Sequence, residues 1–463
     1  MRSPSLAIIS RAHRLAAALR PDEAGNALVV TLLVTLALSG LILGTLLSVQ
    51  TETRLTSNQS MQEKAFYLAE RGAEETLAHL AQLGAPLVGA GAGGGDPVAV
   101  FADQDAGEGS YTAWADPMDS NSGKPTRFVA VTVRATLDGT GVSRALRVRL
   151  GQQNFSRYAY FTDLEKTPGG TTIWFTSNDE FFGPVHTNDQ IHIHGNPVFH
   201  EEVASGGASV DYYNGGPPAD NPVLEKGLTL NAGTIALPIS TDMLKAKAQE
   251  ADGLYFTGST VSVEMFVDGA GDGKLRVSIN GGASTDYDVP DNGVCYVSGK
   301  AQVKGVLKGQ MTLASDGDIE IMDNCTYDTD PRTDPTSTDM LGLVSEKNVY
   351  LDGNPYGANV DTADETVMAS IMALDTSFTV ENYSSGSPRG ALVVYGGIIQ
   401  AKRGPVGTFS AYTGQIVTGY SKDYTYDPRL MDNPPPAFPT TGEIDKIAWE
   451  EIDPATDITA NYW

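Results

Sequence analysis

Hydrophobic residues follow three successive patterns along this chain. From Ala27 to Val49 the sequence runs for 23 residues without a charge. As a helix that run spans about 34 Å, enough to cross a ~30 Å hydrocarbon core. It is too long for the apolar region of a cleavable secretory signal, which runs to about 7–15 residues. Between Thr51 and Leu83 apolar residues thin out to helical spacing at Phe66, Ala69, Ala73, Leu77 and Leu80. Glu63, Lys64, Glu70, Arg71, Glu74 and Glu75 fill the intervals. Gly72 is the only glycine between Thr51 and Leu80, and proline is absent there. The pattern predicts one rod reaching about Leu83, whose outer half packs against a folded domain.

After Leu83 the helical period disappears. "LGAPLVGAGAGGGDP" opens a glycine-rich linker assigned to residues 84–108. Alternation of Phe128, Ala130, Thr132 and Arg134 against Val129, Val131 and Val133, then "RALRVRL" after a turn at Asp138-Gly139, predicts a small β-meander over 109–152. From 153 to 463 short apolar pairs alternate with Gly, Asn and Asp. One helix is expected there, within Ser240–Gly253, with Ser240 or Thr241 as its cap. "QIHIHGN", "DIEIMDN" and "NVYLDGN" share two alternating aliphatics and a closing Asn, and the last two are offset by thirty residues, Ile319 to Val349 and Ile321 to Leu351. Short strands with turn residues at each corner suit a β-solenoid whose rungs stack their aliphatics inward, with a β-sandwich as the alternative. The expected fold is therefore mainly β, with one long N-terminal α-helix and a large β-solenoid-like head.

Charge sets the sidedness. Arg2, Arg11, Arg14 and Arg20 precede the apolar run and place the N-terminus in the cytoplasm, with everything after Val49 outside. The formal net charge of −26 repels phosphate backbones and anionic headgroups, which argues against a nucleic-acid partner.

Candidate chemistry is sparse. The only cysteines, Cys295 and Cys325, share the thirty-residue offset, so equal rungs would stack them into a disulfide outside the cell. Two free buried thiols are the alternative. His186, His192, His194 and His200 fall within fifteen residues, and His192 and His194 share one strand face about 7 Å apart, within reach of one metal ion. The plainer reading makes them outward polar positions. Val267–Lys274 and Asp328–Asp339 concentrate carboxylates, but neither has the spacing of an EF-hand, and a hairpin and a solvated loop fit better. No HExxH, GxSxG, Walker loop or dinucleotide fingerprint is present. Neither an enzyme nor a cofactor is expected.

Gly25, the apolar span, Glu52, Arg54, Asn58 and "AFYLAERGAEETL" resemble the N-terminal region of type IV pilin-like proteins, and most of all PilX-type minor pilins. "FFGPVHTNDQIHIHGNPVFHEEV" and "LGLVSEKNVYL" are similar to an uncharacterised bacterial domain often attached to such helices. The resemblance implies a cytoplasmic leader, residues 1–25, removed by a prepilin peptidase between Gly25 and Asn26. The helix 26–83 would then pack in a filament. Val30 stands where major pilins carry a glutamate, which implies a minor subunit acting in assembly initiation or tip display. The implied partners are other minor and major pilins, the bacterial inner membrane, the peptidase and a surface or polysaccharide ligand. Phe66, Ala69, Ala73 and Leu77 are the expected helix-packing positions. The alternative is an anchored adhesive or polysaccharide-binding module that never enters a filament. A β-helical carbohydrate-active enzyme is the remaining rival.

Overall fold

The computed structural model describes residues 24–82, 98–117, 128–352, 364–410 and 415–456. The leader as far as residue 23 and the first part of the linker lie outside them.

One helix, Ala24–Gln82, runs for 59 residues, about 88 Å. Its threonines support the apolar part: Thr31, Thr35 and Thr45 each donate to a carbonyl one turn back at 2.8–3.0 Å. A hydroxyl satisfied inside its own helix can face hydrocarbon without an orphaned donor. Large apolar side chains from Leu28 to Val49 are all exposed, so none of the described residues covers this half.

The outer half lies on an antiparallel sheet. Its strands are β1 (Val98–Asp105), β2 (Gly109–Pro117), β3 (Phe128–Leu137) and β4 (Ser143–Asn154), followed by Thr440–Ile452 in the order β1-β2-β3-β4-last. Period-two alternation sends Tyr111, Ala113, Val129, Val131, Val133, Leu146, Val148 and Leu150 to the helix side, where Ala65, Leu68, Ala69 and Ala73 meet them. Two expected boundaries shift. The linker cannot extend to 108, because "VAVFADQD" pairs with β2 from Val98↔Ala115 to Asp105↔Ser110. Nor do residues 153–463 form one separate unit, because Thr440–Ile452 returns to pair with β4.

Between these ends lies a ladder of mostly parallel strands. Ile319 pairs with Val349 and Ile321 with Leu351, in the register expected from the repeat. Continuing that register gives a buried column, Val263, Val303, Ile321, Leu351 and Val380, through successive parallel pairs. Rung length is not constant. Val303 reaches Ile321 in eighteen residues, and Ile321 reaches Leu351 in thirty. Glycine marks a corner where two rungs nearly touch: at Gly299, with φ of +126°, an added Cβ would lie 1.8 Å from the Gly258 carbonyl oxygen. The third motif copy behaves differently. His192–His194 pairs in parallel with Phe175–Thr176 and Asp211–Tyr212 in a separate three-stranded sheet, so it has the motif's local alternation but not its ladder.

The expected short helix forms at Asp242–Ala248, with Thr241 as the cap residue. No side-chain cap bond forms, because the Thr241 hydroxyl is engaged by Glu346 at 2.8 Å and Tyr296 at 2.9 Å.

Candidate functional site

The helix face comes first. Ala69 and Ala73, two of the expected helix-packing positions, are buried against the protein's own sheet, and Phe66 and Leu77 pack at the margin of the same core. The face marked by that spacing is covered by the protein's own sheet. Small residues here let the helix approach closely. Tyr111 lies beneath Gly72, and its hydroxyl donates to Glu75, which also accepts from Arg71 at 2.8 Å. Burial first, then the bond to Glu75, pushes the Tyr111 pKa up to about 12. Apolar surface left open in this outer half includes Leu55, exposed by 58%, and a group formed by Tyr67 with Ile447 and Trp449 of the strand Thr440–Ile452, exposed by 64%, 49% and 59%. Phe66 links the two aromatics, with ring centroids 6.0 Å from Tyr67 and 6.1 Å from Trp449. Sequence reading missed this group, because Trp449 is brought to the helix only by a long-range strand pairing.

Gly25 and Asn26 both fall in the first turn of the helix as described.

The four candidate histidines do not converge. His186 is buried, stacks on Phe161 with centroids 5.2 Å apart, and bonds Asn188 at 2.9 Å. His192 pairs through Nδ1 with Asp211 at 2.8 Å. His194 stacks on Tyr213, with centroids 4.2 Å apart. His200 lies between Glu180, at 2.8 Å, and Glu225, at 3.2 Å, with Phe182 stacked on it. Hydrogen bonds to Glu180 and then Glu225 raise its pKa above the ordinary histidine value. These histidines lie in or beside three different sheets, because corners intervene between them. His192 and His194 do share a face, as their spacing required, but each is engaged by a different neighbour.

The cysteines are free, buried thiols. Cys295 pairs in register with Leu313, and Cys325 with Gly305 and Val367. The expected bridge fails on rung length: the residues that lengthen the later rung include the loop around Asp328–Asp339, which follows Cys325. Burial alone pushes the Cys295 pKa up to about 12 and is the leading cause of the upward shift at Cys325.

Carboxylates are mostly committed. Asp268 accepts from the backbone of Ala270 and Asp272, which closes the expected hairpin. In the other acidic loop Asp339 accepts from the Gly309 and Thr329 amides, and Arg332 binds Asp330. A shallow cleft of about 650 Å³ is lined by Asp163, Asp316, Glu346 and Asp375 beside Ile239. Three of these carboxylates hold structure: Asp163 accepts from Asn188, Asp316 from Ser298 and Gly299, and Glu346 from Thr241. Among the described residues, the one group with oxygens close enough for a cation is Glu320, Asp352 and Glu381, within 4.8 Å of one another. Lys300 answers it at 2.8 Å from Glu320. Burial opposes the Lys300 charge, but hydrogen bonds to Glu320 and Tyr350 outweigh burial and raise its pKa. The repeat gave only part of this group: Glu320 lies between the aliphatics of one motif copy and Asp352 directly after those of the next, while Glu381 belongs to no copy.

A fully buried ionic site lies elsewhere. Arg403 Nη1 meets Glu165 Oε2 at 3.1 Å, and its guanidinium covers the Phe175 ring at 4.2 Å. Burial opposes the arginine charge, but Tyr160, Glu165 and Asp179 outweigh it and keep it protonated. No motif marked this pair, which lies 238 residues apart.

Comparison with known proteins gives a partial match. Residues 120–208 match DUF4900, a domain of unknown function. No curated protein sequence matches the chain. Among solved structures, the chain is similar to the competence-associated pilin ComZ from Thermus thermophilus, at 13% identity and a TM-score of 0.30, over 85% of this chain and 97% of that one.

Proposed function

We propose that this chain is a pilin-like subunit of a type IV pilus or a related filament system, of the PilX-type minor class. It acts in assembly initiation and displays its head at the filament tip. One observation carries the reading: a single helix of 59 residues, one half bare and apolar, the other seated on an antiparallel sheet. A plain anchor needs only about 20 apolar residues, and a flexible connection to its domain would serve. A rod continuous from membrane to domain suits a subunit that transfers from bilayer to filament core.

On this reading a prepilin peptidase cuts between Gly25 and Asn26. The span crosses the bacterial inner membrane once, and the head is periplasmic until assembly carries it to the surface. The head is a β-solenoid, supported by the parallel ladder and its aliphatic column. Low stoichiometry follows from size, since more than 370 residues lie beyond Leu83, well above the usual ~100–150-residue domain. Because Ala69 and Ala73 are already covered, neighbouring pilins contact the bare apolar half and the Tyr67, Ile447 and Trp449 group. The role is structural rather than catalytic.

Mass spectrometry of membrane-extracted protein tests the processing: Asn26 should be the first residue. Deleting the gene should reduce surface filaments, and restoring the full chain should recover them. Trp449→Lys should restore fewer filaments while leaving expression unchanged. If the chain keeps its leader where the peptidase is active, and filament number ignores the deletion, the anchored adhesive module replaces this reading.

A further inference from the structure

The outward face of one small sheet in the head has a composition that its packing does not require. Phe175–Thr176, His192–His194 and Asp211–Tyr212 pair in parallel, with Phe175, Ile193 and Tyr212 in one cross-strand row. Those three turn toward the core. The neighbouring positions turn outward, which brings Trp174, His192 and Asp211 together on one side and Thr176, His194 and Tyr213 on the other. Tyr213 is the most open of them, at 59% exposed, although His194 stacks on one face of its ring at 4.2 Å. More than half of Tyr213 is still open to solvent. The Trp174 ring meets Tyr213 in a T-shaped contact at 5.2 Å and packs over the buried His192 at 5.3 Å, so Trp174, His194 and Tyr213 lie together at the surface.

This surface is held in place. Asp220, fully buried, accepts from the amides of Gly195 and Asn214 and from the Asn214 side chain at 2.5–2.9 Å, fixing the loop that carries Tyr213. His192 is fixed by Asp211. Among the described residues the Trp174 indole N–H, the His194 ring nitrogens and the Tyr213 hydroxyl make no hydrogen bond within the protein. Immobile rings ringed by unpaired donors and acceptors lose little entropy on binding.

We propose that Trp174, His194 and Tyr213 form a binding platform for a neutral polysaccharide. A hexopyranose ring offers an apolar face of axial C–H groups and a rim of hydroxyls. The Tyr213 ring matches the face, and the indole N–H, imidazole and Asp211 carboxylate match the rim. Charge selects the neutral class: Asp211 sits at the platform on a chain of net charge −26, which repels uronates and sulfated sugars.

The test is affinity electrophoresis of the full chain in mild detergent, with dextran, glucomannan, hydroxyethylcellulose or starch in the gel and polygalacturonate as the anionic comparison. At least one neutral polymer should retard the protein and change its tryptophan fluorescence. Tyr213→Ala should weaken that retardation by about tenfold or more. Tyr213→Phe, which keeps the ring, should stay within about threefold of the parent. Matching thermal melts establish that the variants fold; if Tyr213→Ala does not, His194→Ala and the fluorescence change decide. Retardation by none of the neutral polymers, by polygalacturonate alone, or equally in parent and Tyr213→Ala overturns the proposal. Binding is read on the isolated chain, so its failure is distinct from failure of the filament reading.

Discussion

Replacing Gly72 with alanine should destabilise the protein, against the ordinary rule for helices. In an exposed helix interior the change gains about 0.8–1.0 kcal/mol, because glycine has more backbone freedom to lose. At Gly72 an added Cβ would lie 2.7 Å from Tyr111 Cδ2, 2.9 Å from Tyr111 Cγ and 2.8 Å from Val133 Cγ1. These are not the loose ends of flexible chains. Tyr111 is 1% exposed and held at its far end by Glu75, so its ring cannot swing aside without losing that bond. Overpacking of this kind costs about 1–3 kcal/mol. If the ring does move, a hydrogen bond to a charged group, worth about 1.5–3 kcal/mol, is lost as well. The helix gain of about 1 kcal/mol offsets part of this, leaving a net loss of up to about 2 kcal/mol if the ring stays and more if the bond to Glu75 is lost.

The assay is urea unfolding of the detergent-solubilised chain, with amide exchange between Ala65 and Leu80 as the local readout. The control is Gly44→Ala in the bare half of the helix, where nothing lies within 4 Å of the new methyl group. That variant should unfold no earlier than the parent. Should Gly72→Ala match or exceed the parent in stability, the helix does not sit against Tyr111 as closely as described. The sheet would then not be its seat.

Other sites give further tests. Glu165→Gln should cost about 3 kcal/mol, since it removes the carboxylate bonded to the buried Arg403 and leaves only the more distant charge of Asp179, whereas Glu165→Leu with Arg403→Met should recover most of that; a single variant within about 1 kcal/mol of the parent would refute the coupling. His200, raised by two glutamates, stabilises its turn fully below the unfolded value near 6.5, and that contribution should fade as pH rises through its higher folded value. NMR of the His200 ring should show a midpoint above 6.5, and a midpoint at or below it would be contrary. Cys295 and Cys325 should resist alkylation in the native chain and both react in denaturant without reductant, whereas a bridged peptide in a non-reducing digest would contradict the free thiols.

Local signals in the sequence were the ones that could be read. The charge-free run and the spacing of Phe66, Ala69 and Ala73 gave the helix and its packing face, because a helix places residues three and four apart together wherever it occurs. The thirty-residue offset gave the register of Ile319 with Val349. The same offset misled for Cys295 and Cys325, because it includes a loop that only the later rung contains. The histidines misled similarly: fifteen residues are enough to turn corners and distribute His186, His192 and His200 among different neighbours. Neither the Glu165–Arg403 pair nor the contact of Trp449 with Phe66 leaves any trace in spacing, since each depends on residues hundreds of positions apart.

The last strand gives these long-range contacts a mechanical meaning. It pairs with β4 from Ile452↔Ala145 to Thr440↔Asn154, and the Phe155 amide donates to the Pro439 carbonyl at 3.0 Å. The chain therefore leaves the sheet for the head and returns from it at one place. A load drawn along the helix enters the sheet through Ala65, Leu68 and Ala69 and divides between two adjacent strands. Separating the head from the rod means breaking the ladder of both strands, whereas a single connection at Asn154 would put the whole load through one. Arg144 with Glu451, and Lys446 with Glu74 of the helix, tie the same strand to its neighbours by charge. An anchor that only keeps a domain near a membrane gains little from such bracing. A subunit that holds a large head on a rod under load gains more, which agrees with the filament role proposed above.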